Sequence, residues 1–175
     1  LYFLGDSITR RWGALDYPDF LAHWNKTFHG WNAGNFGWGA DHTQHVLWRI
    51  ENGELDGVDP KVIVLLAGTN NIGKDPVDDA KVADVTRGLQ AILASCRKKA
   101  PRATIVVTAI FPRNDNPAAW PAIQRINASL AGLADGKTVR FLDVNRSLAD
   151  AQGVLLAFAL DGVGPDRPDR GQAKA

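Results

Sequence analysis

The sequence predicts an α/β domain of three layers, with helices on both sides of a mostly parallel five-stranded sheet. Three observations carry that expectation. Short runs rich in Val, Ile and Leu recur without clean alternation, as in strands buried on both faces. Helical patterns separate these runs, and strand–helix alternation is the signature of a parallel sheet with crossover helices. The 175 residues amount to one domain, 1–175, which can bury roughly 70% of its unfolded surface without disulfides.

Leu1–Leu4 is the first strand. Asp16–Phe28 reads as a helix. A second strand lies near Gly30–Asn35, where the chain enters a Gly-rich loop. His42–Ile50 is a shorter helix, and Gly53 and Pro60 punctuate the segment after it. Lys61–Ala67 is the third strand. Asp78–Ala100 is the clearest helix: Val82, Val85, Leu89, Ile92, Leu93 and Cys96 share one face of a 3.6-residue period, and Pro101 marks its end. Thr104–Ile110 is the fourth strand, Ala118–Leu133 a helix, and Val139–Val144 the fifth strand.

Composition excludes several functions. Apolar residues make up 45% and charged residues 22%, values of an ordered globular chain. Twenty basic and 19 acidic residues leave a net charge of +1 with no basic block, so no nucleic-acid surface is expected. No apolar run, Val62–Ala67 included, is long enough for a membrane span. The single cysteine, Cys96, excludes an intramolecular disulfide and a Cys-based zinc cluster, and its place on the apolar helix face makes it a buried, inert thiol. The chain has no Met and begins inside an apolar run, so its native N-terminus is expected to lie upstream.

In parallel α/β sheets, ligands sit beyond the carboxyl ends of the strands, so the strand exits matter most. The first exit reads Gly5-Asp6-Ser7-Ile8-Thr9. A serine there, at the start of a helix, is placed near free backbone N–H groups that favour negative charge. Taken alone, Asp6 or Ser7 is more simply an N-cap. The third exit reads Gly68-Thr69-Asn70-Asn71. An Asn there can aim its amide as an oxyanion donor, although an Asx-turn is the simpler reading. Between them lies Asn35-Phe36-Gly37-Trp38-Gly39-Ala40-Asp41, whose small residues let a backbone N–H approach a substrate. On its own it is an ordinary loop.

Together these three motifs resemble the GDSL or SGNH hydrolase family. The likeness continues through Gln44-His45-Val46-Leu47-Trp48-Arg49-Ile50-Glu51-Asn52-Gly53-Glu54-Leu55, which is similar to the α-subunit branch of platelet-activating-factor acetylhydrolase, and it extends from Leu1 to about Leu148. The resemblance implies a flavodoxin-like sheet, ester hydrolysis, and no metal or organic cofactor. It assigns the nucleophile to Ser7. The oxyanion donors it implies are the Ser7 backbone N–H, a backbone N–H in Gly39-Ala40 and the Asn70 side chain. Gly39 is the choice for the second donor, with Ala40 open because many relatives place the donor directly before the Asp. The branch implies a small-molecule ester substrate with a short acyl group, such as an acetyl ester of a carbohydrate or lipid; its relatives can pair as homodimers, and no interface is readable in this sequence.

The family pattern breaks near its last motif, Asp-x-x-His. The matching stretch is Asp161-Gly162-Val163-Gly164-Pro165. Asp161 fits the carboxylate that orients the base, but position 164 is Gly. The tail from Asp166 to Ala175 has a further proline and no apolar face, so the closing helix is not expected either. A serine hydroxyl needs a base to become a useful nucleophile. The four histidines, His23, His29, His42 and His45, all lie in the first part of the chain, and none fits that place. An altered or truncated tail, a natural pseudoenzyme and a shifted alignment each account for the gap. Joint loss of the His and the helix favours the first.

Asp6 is expected to stabilise its turn. Of the six tryptophans, most are expected in the core or in helix packing, with Trp38 of the Gly-rich loop the one placed to line a substrate pocket. Arg113 and Asn114 border the cleft, either as substrate contacts or as turn formers. The leading reading is a serine esterase impaired by Gly164. The alternative is a catalytically dead fold that binds carbohydrate or lipid. A flavodoxin-like nucleotide binder is disfavoured, because the Gly-rich loop lacks phosphate-cradle spacing.

Overall fold

The computed structural model describes residues 1–156. Its sheet has five strands: β1 (Tyr2–Gly5), β2 (Gly34–Gly37), β3 (Val62–Leu66), β4 (Thr104–Thr108) and β5 (Val139–Leu142). They lie in the order β2-β1-β3-β4-β5, and every pair is parallel. The helices are α1 (Ser7–Arg10), α2 (Pro18–Phe28), α3 (Thr43–Arg49), α4 (Thr69–Ile72), α5 (Asp79–Lys99), α6 (Trp120–Ala131) and α7 (Asn145–Leu148).

The register explains the layers. Tyr2, Ile63, Ile105 and Val139 form one cross-strand row, and Leu4, Leu65, Val107 and Phe141 form another on the same face. These rows join Val46, Ile50, Val85, Leu89, Ile92, Ile123 and Ile126 in a single core, so α3, α5 and α6 cover that face. Phe3, Val64 and Val106 point the other way, and there Phe3 packs its ring edge-on to Trp24 and Phe28 of α2. Right-handed crossovers require this division: β1 to β2 runs one way across the sheet, and every later connection runs the other.

The apolar face predicted for the long helix is the one buried: Val82, Val85, Leu89, Ile92, Leu93 and Cys96 line the inner side of α5. Asp78 caps that helix by accepting from the Lys81 N–H at 2.7 Å. The second strand starts at Gly34, later than the predicted Gly30–Asn35, because Gly30 has φ +85° and the chain is still turning there. All four of its residues are only half-buried, as suits an edge strand. Cys96 is fully buried, and burial pushes its thiol up to about 12. The tryptophans depart from expectation. None of the six is fully buried, and Trp31, Trp38 and Trp48 are among the most exposed large apolar side chains.

Candidate functional site

The order β2-β1-β3 places the topological switch point between β1 and β3, the place where sheets of this kind hold their ligands beyond the strand ends. Gly5 of β1 is level with Gly37 of β2 and Leu66 of β3. Continuing two residues along each strand gives Ser7, Gly39 and Gly68, with Asn70 close behind. The three loops singled out in the sequence are therefore neighbours at the carboxyl end of the sheet.

Ser7 is the first residue of α1 and is half-buried. Asp6 caps the turn: its Oδ1 accepts from the Ile8 N–H at 2.9 Å. The Ser7 N–H belongs to the first-turn amides that a helix leaves without an internal acceptor. Asp6 is fully buried, and its Oδ2 has no partner among the described residues. Burial pushes its carboxyl up to about 6; the Asp41 charge adds to this, while the Ile8 N–H and Arg11 oppose it.

The second loop is a turn over Trp38–Asp41. The Trp38 N–H donates to the Gly5 carbonyl at 3.1 Å, and the Asp41 N–H closes the turn on the Trp38 carbonyl at 3.5 Å. Among the described residues, no acceptor meets the central amides, those of Gly39 and Ala40. Ala40 rather than Gly39 carries the left-handed backbone, with φ +62°. The loops approach so closely that a Cβ on Gly37 would collide with the Asp6 carbonyl and the Arg10 nitrogen.

Asn70 follows Gly68, whose φ of +110° turns the chain out of β3 into α4. The Asn70 Nδ2 donates to the Asp41 main-chain carbonyl at 2.8 Å. A carboxamide has two N–H donors, and the second has no acceptor among the described residues. Asn71 ties the same loop to α3: its Oδ1 accepts from the Thr43 N–H at 2.9 Å, and its Nδ2 reaches Gln44 Oε1 at 3.1 Å.

Sequence reasoning missed one arginine and left another open. Arg49, in the last turn of α3, donates from Nε and Nη2 to Asp41 Oδ2 at 3.0 and 2.8 Å, and from Nη2 to the Gly5 carbonyl at 3.4 Å. Its Nη1 pairs with Glu54. Arg113, left open between substrate contact and turn, braces the third loop. It pairs with both Asp115 oxygens at 3.0 and 2.7 Å and donates to the Thr69 carbonyl and hydroxyl. No local pattern announces either role, because both join segments far apart in the chain.

The histidines are engaged elsewhere. His23 accepts from the Trp12 indole N–H at 3.2 Å. The His42 ring lies 3.1 Å from the Ala40 carbonyl, and His45 Nδ1 accepts from the His42 N–H at 3.0 Å. His29 is exposed at the end of α2. Among the described residues, no histidine hydrogen-bonds Ser7. Asp161 and Gly164 lie outside the described residues. Among the described residues, no group of three or more His, Cys, Asp or Glu side chains is placed to hold a metal ion, and no helix is long and apolar enough to cross a membrane.

A cleft of about 560 Å³ flanks the second loop, lined by Trp38, Gly39, Ala40, His45, Trp48 and the Arg49–Asp41 pair. A larger hollow of about 650 Å³ lies at the opposite end of the strands, against Tyr2, Gly34 and Lys61, and holds none of these groups.

Comparison with known proteins adds to this geometry. The sequence model of the GDSL-like Lipase/Acylhydrolase family matches residues 3–165. The chain is 35% identical over 155 residues to platelet-activating factor acetylhydrolase IB subunit alpha1 of Pongo abelii, covering 87% of this chain and 62% of the relative. It is 32% identical over 158 residues to the alpha2 subunit of Rattus norvegicus, with the same coverage. The chain thus spans less than two thirds of the length of these curated relatives. A solved member of the lipolytic protein G-D-S-L family from Veillonella parvula superposes with a TM-score of 0.67 at 21% identity, covering 94% of this chain and 82% of that one.

Proposed function

The chain belongs to the GDSL-like lipase/acylhydrolase family, and on that premise we propose that it is a serine esterase acting on short-acyl esters, with an acetyl ester of a carbohydrate or lipid as substrate. The observation that carries this reading is the convergence of Ser7, the Gly39–Ala40 turn and Asn70 beyond three adjacent parallel strands.

In this reading the Ser7 Oγ attacks the ester carbonyl, forming a C–O bond as the carbonyl π electrons move onto oxygen. The oxyanion meets the Ser7 N–H, an N–H of the Gly39–Ala40 turn and the second Asn70 N–H. Preorganised donors of this kind stabilise the transition state because they need no reorientation as charge develops. Collapse expels the alcohol, and water hydrolyses the acyl-enzyme. The family design moves the protons through a histidine oriented by a carboxylate; the sequence offers Asp161 for the carboxylate and Gly164 for the base. Loss of the base costs a serine hydrolase several orders of magnitude, while the oxyanion donors retain some catalysis. The chain as it stands is therefore expected to turn over esters weakly.

The relatives named as acetylhydrolases support the short acyl group. The Gly at position 164 favours, as a second reading, a fold that keeps the cleft for binding carbohydrate or lipid without turnover. Hydrolysis of p-nitrophenyl acetate by the chain, by Ser7→Ala and by Gly164→His separates the two. The esterase reading expects slow turnover that disappears in Ser7→Ala and rises in Gly164→His. Turnover unaffected by Ser7→Ala overturns it.

A further inference from the structure

We propose that Arg49 is a positioning residue for the oxyanion donors, holding the second loop so that the Asn70 amide presents nitrogen to the site. The role assigned to those donors rests on the esterase reading; the tether itself does not.

Arg49 reaches both the first and the second loop. Its Nε and Nη2 converge on Asp41 Oδ2, and Nη2 also faces the Gly5 carbonyl at the exit of β1. Its Nη1 is anchored by the Glu54 carboxylate, beyond the end of α3. The Arg49 and Asp41 side chains are only 15% and 14% exposed, so solvent screens the pair weakly. The main chain of the same Asp41 supplies the acceptor for Asn70 Nδ2 at 2.8 Å. The path therefore runs from Gly5, through Arg49 and Asp41, to Asn70, and links the exits of β1, β2 and β3.

The acceptor at Asp41 decides which way round the Asn70 amide lies. A carbonyl facing the amide demands nitrogen on that side and turns Oδ1 away. If the Asp41 main chain shifts, the amide is free to rotate and present Oδ1, an acceptor that repels an oxyanion. Arg49 also neutralises a carboxylate beside the same turn, where an unpaired negative charge would oppose the developing one. A lysine can supply the charge, but a single ammonium lacks the planar fork that meets Asp41, Gly5 and Glu54 together.

The test uses the full chain with Arg49→Lys, Arg49→Met, Asp41→Asn and Asn70→Ala, each also in the Gly164→His background. Three readouts are taken: kcat and KM on p-nitrophenyl acetate, the thermal midpoint, and the side-chain ¹H–¹⁵N resonances of Asn70, identified by their loss in Asn70→Ala. We expect Arg49→Lys to lower kcat roughly 10- to 100-fold with KM within about twofold, the size of effect that small misplacement of catalytic groups produces. The Asn70 amide pair should move in Arg49→Lys and in Asp41→Asn, and the two variants should move it in the same direction. Asp41→Asn covers the case in which an Arg49 variant does not fold. Unmoved Asn70 resonances in a folded variant overturn the proposal, as does a fall in kcat accompanied by a lower midpoint without any movement of Asn70. If no chain turns over ester, the esterase reading fails, while the Asn70 resonances still decide the tether.

Discussion

The Asn70 carboxamide nitrogen donates to the Asp41 main-chain carbonyl at 2.8 Å, which fixes nitrogen rather than oxygen on the side of the Gly39–Ala40 turn. In the proposed reaction this amide donates only when the oxyanion forms. Asn70→Ala should therefore lower kcat on p-nitrophenyl acetate by roughly 10²- to 10³-fold with little change in KM. Asn70→Asp should be no better, because its carboxylate cannot donate and faces the Asp41 carbonyl. A loss expressed wholly in KM would contradict the oxyanion role.

Asp6 gives the fold a pH dependence opposite to that of an ordinary ion-paired carboxylate. Its folded pKa is about 6, raised mainly by burial from the ordinary 3.8. Between those values the folded state binds more protons than the unfolded state, so stability falls as pH rises through that window. A shift of about two units corresponds to roughly 3 kcal/mol at the upper plateau, as an order of magnitude. Urea midpoints measured from pH 4 to pH 7 should show this decline, and Asp6→Asn should flatten it. A midpoint that rises across the window in the wild type and is unchanged by Asp6→Asn would show that Asp6 does not titrate this way.

Much of the fold was legible in the sequence, and the reason is periodicity. The α5 face from Val82 to Cys96 follows a helical repeat, and apolar runs such as Val62–Leu66 and Thr104–Thr108 declare buried parallel strands. Ser7 and Asn70 were visible because they directly follow such runs, and the parallel order places the ends of β1 and β3 side by side. Arg49 was not visible, and neither was the bracing role of Arg113. Each acts across 44 residues, on Gly5 and Thr69 respectively, and no local pattern encodes a contact that exists only after folding. The tryptophans misled for a related reason. Hydrophobicity alone places most indoles in the core or in helix packing, yet Trp31 and Trp48 are 66% and 63% exposed; Trp38, expected at a pocket, is 57% exposed on a turn pinned through its backbone.

That exposure makes Trp38 separable from stability. Its N–H bond to Gly5 survives any side-chain change except proline, and its indole lines the cleft beside Gly39 and Ala40. Trp38→Ala should leave the unfolding free energy within about 0.5 kcal/mol of the parent. It should raise KM for aryl or sugar acetates by roughly 2- to 10-fold, matching the roughly 0.5–1.5 kcal/mol of an aromatic contact. Smaller alkyl acetates should show a lesser effect. Equal KM values across that substrate series in the parent and in Trp38→Ala would remove the indole from the substrate pocket.

Ala40 offers a test of which amide in the second loop serves as donor. Its φ of +62° is left-handed, a conformation that crowds a Cβ against the backbone by roughly 1–2 kcal/mol. A glycine at this position would escape that crowding but lose about 0.5–1 kcal/mol to the greater freedom of the unfolded chain. Ala40→Gly should therefore be neutral or stabilising by up to about 1 kcal/mol in urea unfolding, with kcat retained. Ala40→Val adds a β-branch to the same backbone and should destabilise by roughly 1–3 kcal/mol while lowering kcat, because the turn must open to relieve it. Gly39 behaves differently. A Cβ there meets nothing within 4 Å, so Gly39→Ala should leave stability nearly unchanged. If Gly39→Ala lowers kcat in a fully stable protein while Ala40→Gly does not, the donor or the substrate path lies at Gly39; if both are silent and only Ala40→Val is impaired, the amide that matters is the one held by the left-handed turn.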